Sequence, residues 1–120
     1  MGTISHTEPP LRDDGMRPGG LVAIWTPLTS ANPNGDAFEW IHGRDRSVQL
    51  TGTFGNATVL IQGSNDGTNY VTLTDPQGNA LSFTTAGLEQ IEEATRYIKP
   101  TSSGGDGTQS VTVTIFAGGH

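Results

Sequence analysis

Beyond about residue 20 the chain alternates between apolar and polar positions with a period of two. Val48, Leu50 and Phe54 share one parity, and Gln49, Thr51 and Thr53 the other. Such alternation marks a strand with one packed face and one wet face. It returns at Tyr70–Thr74, which Ala80–Thr84 follows as the next strand, and at Val111, Val113 and Ile115, whose Thr112 and Thr114 neighbours face outward. Leu21–Trp25 and Val59–Ile61 are unbroken apolar runs, which predict more deeply buried strands. Ala37–Ile41 and Thr95–Lys99 add two more, the second stopped by Pro100. Residues 86–94 hold the best helix formers and predict one or two helical turns or a loop.

Turn chemistry separates these elements. Pro27 and the stretch Ser30–Asp36 end the first strand, and His42–Arg46 reads as a charged turn. Gly55-Asn56, Asn65–Asn69 and Asp75–Asn79 read as tight turns, and Gly104–Gly107 as a flexible hairpin loop. The pattern is about seven or eight short strands at roughly 8–12-residue spacing, which predicts an all-β antiparallel sandwich, jelly-roll-like. Residues 1–20 differ. Pro9-Pro10, Asp13-Asp14-Gly15 and Pro18-Gly19-Gly20 break any period, so they predict an extended N-terminal arm before a sandwich domain at 21–120.

Composition narrows the function. The chain has 120 residues, enough for one domain, and 32% of them are hydrophobic. Its net charge of −6 argues against nucleic acid and anionic membrane as partners. With no cysteine it has neither disulfides nor thiolate metal ligands. The N-terminus does not read as a secretion signal, and no apolar stretch is long enough for a membrane helix, so synthesis in a cytoplasm is expected.

Candidate chemistry is sparse. His6, His42 and His120 lack the spacing of a metal site and read as surface residues. Glu89, Glu92 and Glu93 read as a solvated face. Asp36, Asp66, Asp75 and Asp106 sit beside Gly, Asn or Pro, where carboxylates cap turns. Asn65-Asp66-Gly67 lacks the spacing of a calcium loop, and Gly104–Gly107 lacks the Lys-Ser/Thr of a phosphate loop. Trp25, Trp40 and Tyr70 are either core or a sugar-stacking platform. No catalytic residue, cofactor or metal is expected.

Two segments carry a resemblance. Val59–Leu73 has an apolar strand, then Gly63-Ser64-Asn65-Asp66-Gly67, then an aromatic residue and a second strand. Ala94–Pro100 contains Arg96-Tyr97-Ile98-Lys99. In this order, over about residues 45–116, they resemble discoidin-like jelly rolls, and more closely the cement or decoration proteins of tailed-bacteriophage heads. The resemblance implies a virion protein on the outer capsid surface, a dimer or trimer that bridges major capsid protein subunits. On that reading Leu11, Arg12, Met16 and Arg17 are the expected arm contacts, because Arg and Met are enriched at interfaces. The loops at Asn65-Asp66 and around Asp106 are the other expected contacts. A carbohydrate-binding module and a tail or baseplate subunit are the rival readings.

Overall fold

The computed structural model describes residues 2–8, 20–39 and 46–118, which form two packed β-sheets with no helix among them. The strands are β1 (Thr3–Ile4), β2 (Gly20–Leu28), β3 (Asn34–Gly35), β4 (Phe38–Glu39), β5 (Arg46–Thr53) and β6 (Ala57–Ser64). They continue with β7 (Val71–Thr72), β8 (Ser82–Phe83), β9 (Gly87–Ile91), β10 (Tyr97–Gly104) and β11 (Ser110–Gly118). One sheet runs β1-β3-β10-β6-β7, with β4 also on β10 and β8 also on β6. The other runs β2-β11-β5-β9. The fold is therefore an all-β sandwich.

Alternation builds the core as expected. Val48, Leu50, Val113 and Ile115 of the second sheet are buried against Val59, Ile61 and Ile98 of the first, with Trp25 and Phe38 among them. The turns differ from simple hairpins. Gly55-Asn56 and the loop after Gly104 each carry the chain from one sheet to the other. These two crossings touch, with the Asp106 amide donating to the Gly55 carbonyl at 2.8 Å. Asn56 has φ 66° there, a conformation that Asn tolerates better than most residues.

Several expectations are corrected. Residues 87–91 are an edge strand on β5 and not a helical turn. The register puts Leu88 opposite Gln49 on the outer face, 63% exposed, while Ile91 is buried. A segment this short gains little from its own helix propensity, so the open edge of β5 decides its conformation. Glu93 is not free in solvent. Its carboxylate accepts from the Thr74 amide at 2.8 Å and the Thr74 hydroxyl at 2.6 Å. Arg46 does not belong to an exposed turn. It opens β5, is buried, and donates from Nη1 to the Thr95 carbonyl at 2.6 Å.

Pro27 does not end β2, which continues to Leu28 past a cis Thr26-Pro27 peptide. Pro100 does not end β10. It lies where the strand's second neighbour changes from β4 opposite Ile98 to β3 opposite Thr101, so a missing N–H disrupts little.

The first residues of the expected arm lie along the sandwich. β1 pairs with β3, and this pair is parallel where antiparallel pairing was expected. Three residues later Thr7 exchanges two backbone hydrogen bonds with Ile24 of β2, at 2.8 and 2.9 Å. Residues 2–8 thus tie the two sheets together along one side. The expected arm contacts Leu11, Arg12, Met16 and Arg17 lie outside the described residues, as does Trp40.

Candidate docking face

β10 alternates with Ile98 and Pro100 inward and Tyr97 and Lys99 outward. Its partner β6 places Gln62 opposite Lys99 and Ser64 opposite Tyr97. The chain then turns through 65–70 and returns as β7, which pairs Thr72 with Gln62. This return sets Tyr70 beside Lys99, whose Nζ lies 4.3 Å from the ring centroid. Arg96 lies over Tyr97 at 5.1 Å and donates from Nε to Glu39 Oε2 at 2.6 Å. The result is a continuous patch of two tyrosines and two cations on the outer face of the larger sheet.

The expected contact residues Asn65 and Asp66 flank this patch. Asn65 Oδ1 accepts from the Arg96 amide at 3.0 Å. Asp66 Oδ1 accepts from the amides of Thr68 and Asn69, each at 2.8 Å, and from the Ser64 hydroxyl at 2.7 Å. Its Oδ2 accepts from Asn69 Nδ2 at 2.9 Å. These bonds, the backbone amides above all, hold the Asp66 carboxyl far below the usual carboxylate range. Its role is to fix the loop. A Cβ on Gly67 would lie 3.3 Å from the Tyr97 ring, so the fixed loop rests against the patch.

The two cations differ electrostatically. Arg96 is held charged by Glu39, which raises its pKa further. None of the ion pairs among the described residues includes Lys99. The Tyr70 hydroxyl is pushed up, mostly by burial and then by the nearby Tyr97 and Asp66.

The second expected loop lies elsewhere. Ala57 of β6 pairs with Gly104, and Ser64 with Tyr97, so Asp106 is at the opposite end of the sheet from Asp66. Asp106 Oδ1 accepts from the Thr108 hydroxyl at 2.5 Å and the Thr108 amide at 3.0 Å, which lowers its pKa. It too builds its own turn.

Sequence reasoning missed two groupings. Tyr97 and Lys99 were legible as the outward parity of β10, but their neighbour Tyr70 comes from a different strand. His6 was read as a surface residue, yet its side chain is 15% exposed. Its Nδ1 lies 2.9 Å from Asp36 Oδ1, its Nε2 2.6 Å from Glu8 Oε2, and its ring packs on Trp25 and Phe38 at 5.5 Å each. Asp36 Oδ1 also accepts from the His6 amide at 2.8 Å and Trp25 Nε1 at 3.0 Å. Burial pulls the His6 pKa down, but the hydrogen bonds to Asp36 and Glu8 outweigh it, and the net shift is upward. The grouping anchors the N-terminal segment. Trp25 is fully buried, so it is core and no part of a sugar platform.

A polar groove of about 340 Å³ runs between β8 and β9, with Asp75 and Glu89 in its walls. Asp75 already accepts from the Gln77 and Asn79 amides at 3.0 and 2.9 Å, and so shapes its turn. Among the described residues no group of three or more His, Cys, Asp or Glu is arranged to hold a metal ion. Comparison with protein-family models, with curated proteins and with solved structures gives no match.

Proposed function

We propose that this chain is a non-catalytic virion structural protein, a cement or decoration protein on the outer surface of a tailed-phage head. The observation that carries the reading is Lys99. It is a cation without a carboxylate partner among the described residues, framed by Tyr70 and Tyr97, in a chain with twelve acids and six bases. Tyrosine and arginine dominate the energetics of protein interfaces, and a rigid sheet presents them at little entropic cost. A carboxylate-bearing surface on the major capsid protein complements Lys99. The likeness of Val59–Leu73 and Ala94–Pro100 to decoration proteins supports the same partner.

The mechanism is mechanical. A protein that binds the assembled shell and not the free subunit shifts the equilibrium toward the intact shell by mass action. Repetition over the lattice multiplies weak contacts through effective concentration. Co-sedimentation of the purified chain with expanded empty capsids tests this. Lys99→Glu and Tyr97→Ala are expected to weaken capsid binding, the latter by roughly 30-fold if Tyr97 is a hot spot. A wild-type chain that stays in the supernatant at every capsid concentration overturns the proposal.

A second reading rests on the same two partly exposed tyrosines, which offer ring faces to stack on sugars at a virion surface. Retention of the isolated chain on a glycan array, abolished by Tyr70→Ala, favours it over the first. A tail or baseplate position is a variant of the structural reading. Antibody labelling of whole particles separates head from tail.

A further inference from the structure

The outer face of the smaller sheet has a different character. Its outward positions on β11 are Thr112, Thr114 and Phe116, and the register sets Val22 and Ser47 beside Phe116 and Ile24 and Gln49 beside Thr114. Leu88 and Gln90 of β9 complete the same rows. Among the described side chains, the outward ones on these four strands belong to Thr, Ser, Gln, Pro, Val, Ile, Leu or Phe. None is charged, in a chain of which 15% is Asp, Glu, Lys or Arg. Phe116 is 44% exposed and Leu88 63% exposed. Beside Phe116 a groove of about 260 Å³ is lined by Ser47, Gln90 and the buried Arg46.

We infer that this uncharged face is a two-fold interface with a second copy of the chain, with Phe116 of each copy entering the groove beside Phe116 of the other. It gives a place to the self-association that the resemblance to decoration proteins implies, but does not depend on capsid binding. Charge selects the occupant. Two copies that each carry −6 repel wherever their carboxylates face one another, and the outward positions of this face bring no carboxylate into apposition. A two-fold contact is self-complementary, so a groove and the ring that fills it must both lie on one patch, as they do here. At sheet spacings of about 3.3 by 4.8 Å per residue, the face covers roughly 400 Å² of flat sheet. That is below the ~800 Å² per partner of a stable complex, so the dimer should be weak and reversible.

Sedimentation velocity of the full chain, from about 10 µM to about 1 mM, reads this directly. The expected result is a monomer–dimer equilibrium whose dissociation constant rises at least tenfold in Thr114→Glu. Thr114→Lys should behave likewise, and an equimolar mixture of the two variants should dimerise again. Lys99→Glu, on the opposite face, should leave the equilibrium unchanged. Circular dichroism confirms that each variant is folded. A wild-type chain that stays monomeric throughout the range overturns the inference. So does unchanged dimerisation of both Thr114 variants. Loss of capsid co-sedimentation in Thr114→Glu with a monomeric wild type also overturns it, and gives the face to the shell instead. Failure of capsid binding alone, with dimerisation as expected, overturns only the cement reading.

Discussion

Gly52 interrupts β5 with φ 112°, a backbone region that side chains rarely enter. A Cβ at this position would stand against the Ser110 carbonyl oxygen of β11. Gly52→Ala therefore combines backbone strain with a steric push between two paired strands. It is expected to destabilise by about 1–3 kcal/mol in urea titration, with little change in the slope of the transition. Asp66 shows the other side of residue-scale chemistry. Its folded-state pKa lies below the unfolded one, so its contribution is present above the ordinary value of 3.8 and is lost only in stronger acid. Around neutral pH its carboxylate is a fixed part of the loop. Its turn-building role was readable from Asp66-Gly67 alone, because such capping is local.

At the scale of the element, the N-terminal segment is held by His6, Asp36 and Glu8 together. Protonated His6 can donate to both carboxylates, whereas neutral His6 can donate to only one. Its folded-state pKa is above the ordinary 6.5, so this stabilisation is complete below that value and fades as pH rises through the raised one. The midpoint of thermal unfolding should fall by a few degrees between about pH 5 and pH 9. His6→Gln should remove that part of the slope. The difference between the two curves isolates His6 from His42, His120 and the N-terminus. An identical slope in the variant would count against the clasp.

No local pattern announces this element. His6 and Asp36 are 30 residues apart, and what joins them is the parallel pairing of β1 with β3. The same holds for β9, whose Leu, Glu and Gln favour a helix until the open edge of β5 is supplied. By contrast, β5 and β11 were legible because their burial is set within each strand by alternation, while β6 was legible only as an apolar run, although its burial alternates too. Tyr97 and Lys99 shared that advantage, while the neighbour that makes them a patch arrives by the turn from β6 to β7.

For the whole molecule, the decisive connection joins the last strand to two strands from the first half of the sequence. β11, the last strand, lies between β2 and β5 and fills the middle of its sheet. Val111, Val113 and Ile115 are completely buried there. At roughly 1.5–3 kcal/mol for each such side chain, their loss rivals the 5–15 kcal/mol that a domain of this kind possesses. Truncation after Gln109 is expected to abolish the fold, seen as loss of dispersion in the amide NMR spectrum. The same long-range closure predicts folding on the millisecond-to-second scale, measurable by stopped-flow dilution from urea.

The rim at β9, which pairs with β5 alone among the described strands, has one more consequence. Glu89 sits opposite buried Val48, so its carboxylate points to the inner side of the sheet at the last strand. A further strand laid along that rim would have to cover this anion on the inner side of the sheet and strip it of water. The rim thus resists open-ended polymerisation into fibrils, and many copies can crowd together while the smaller sheet of each still stops at its fourth strand.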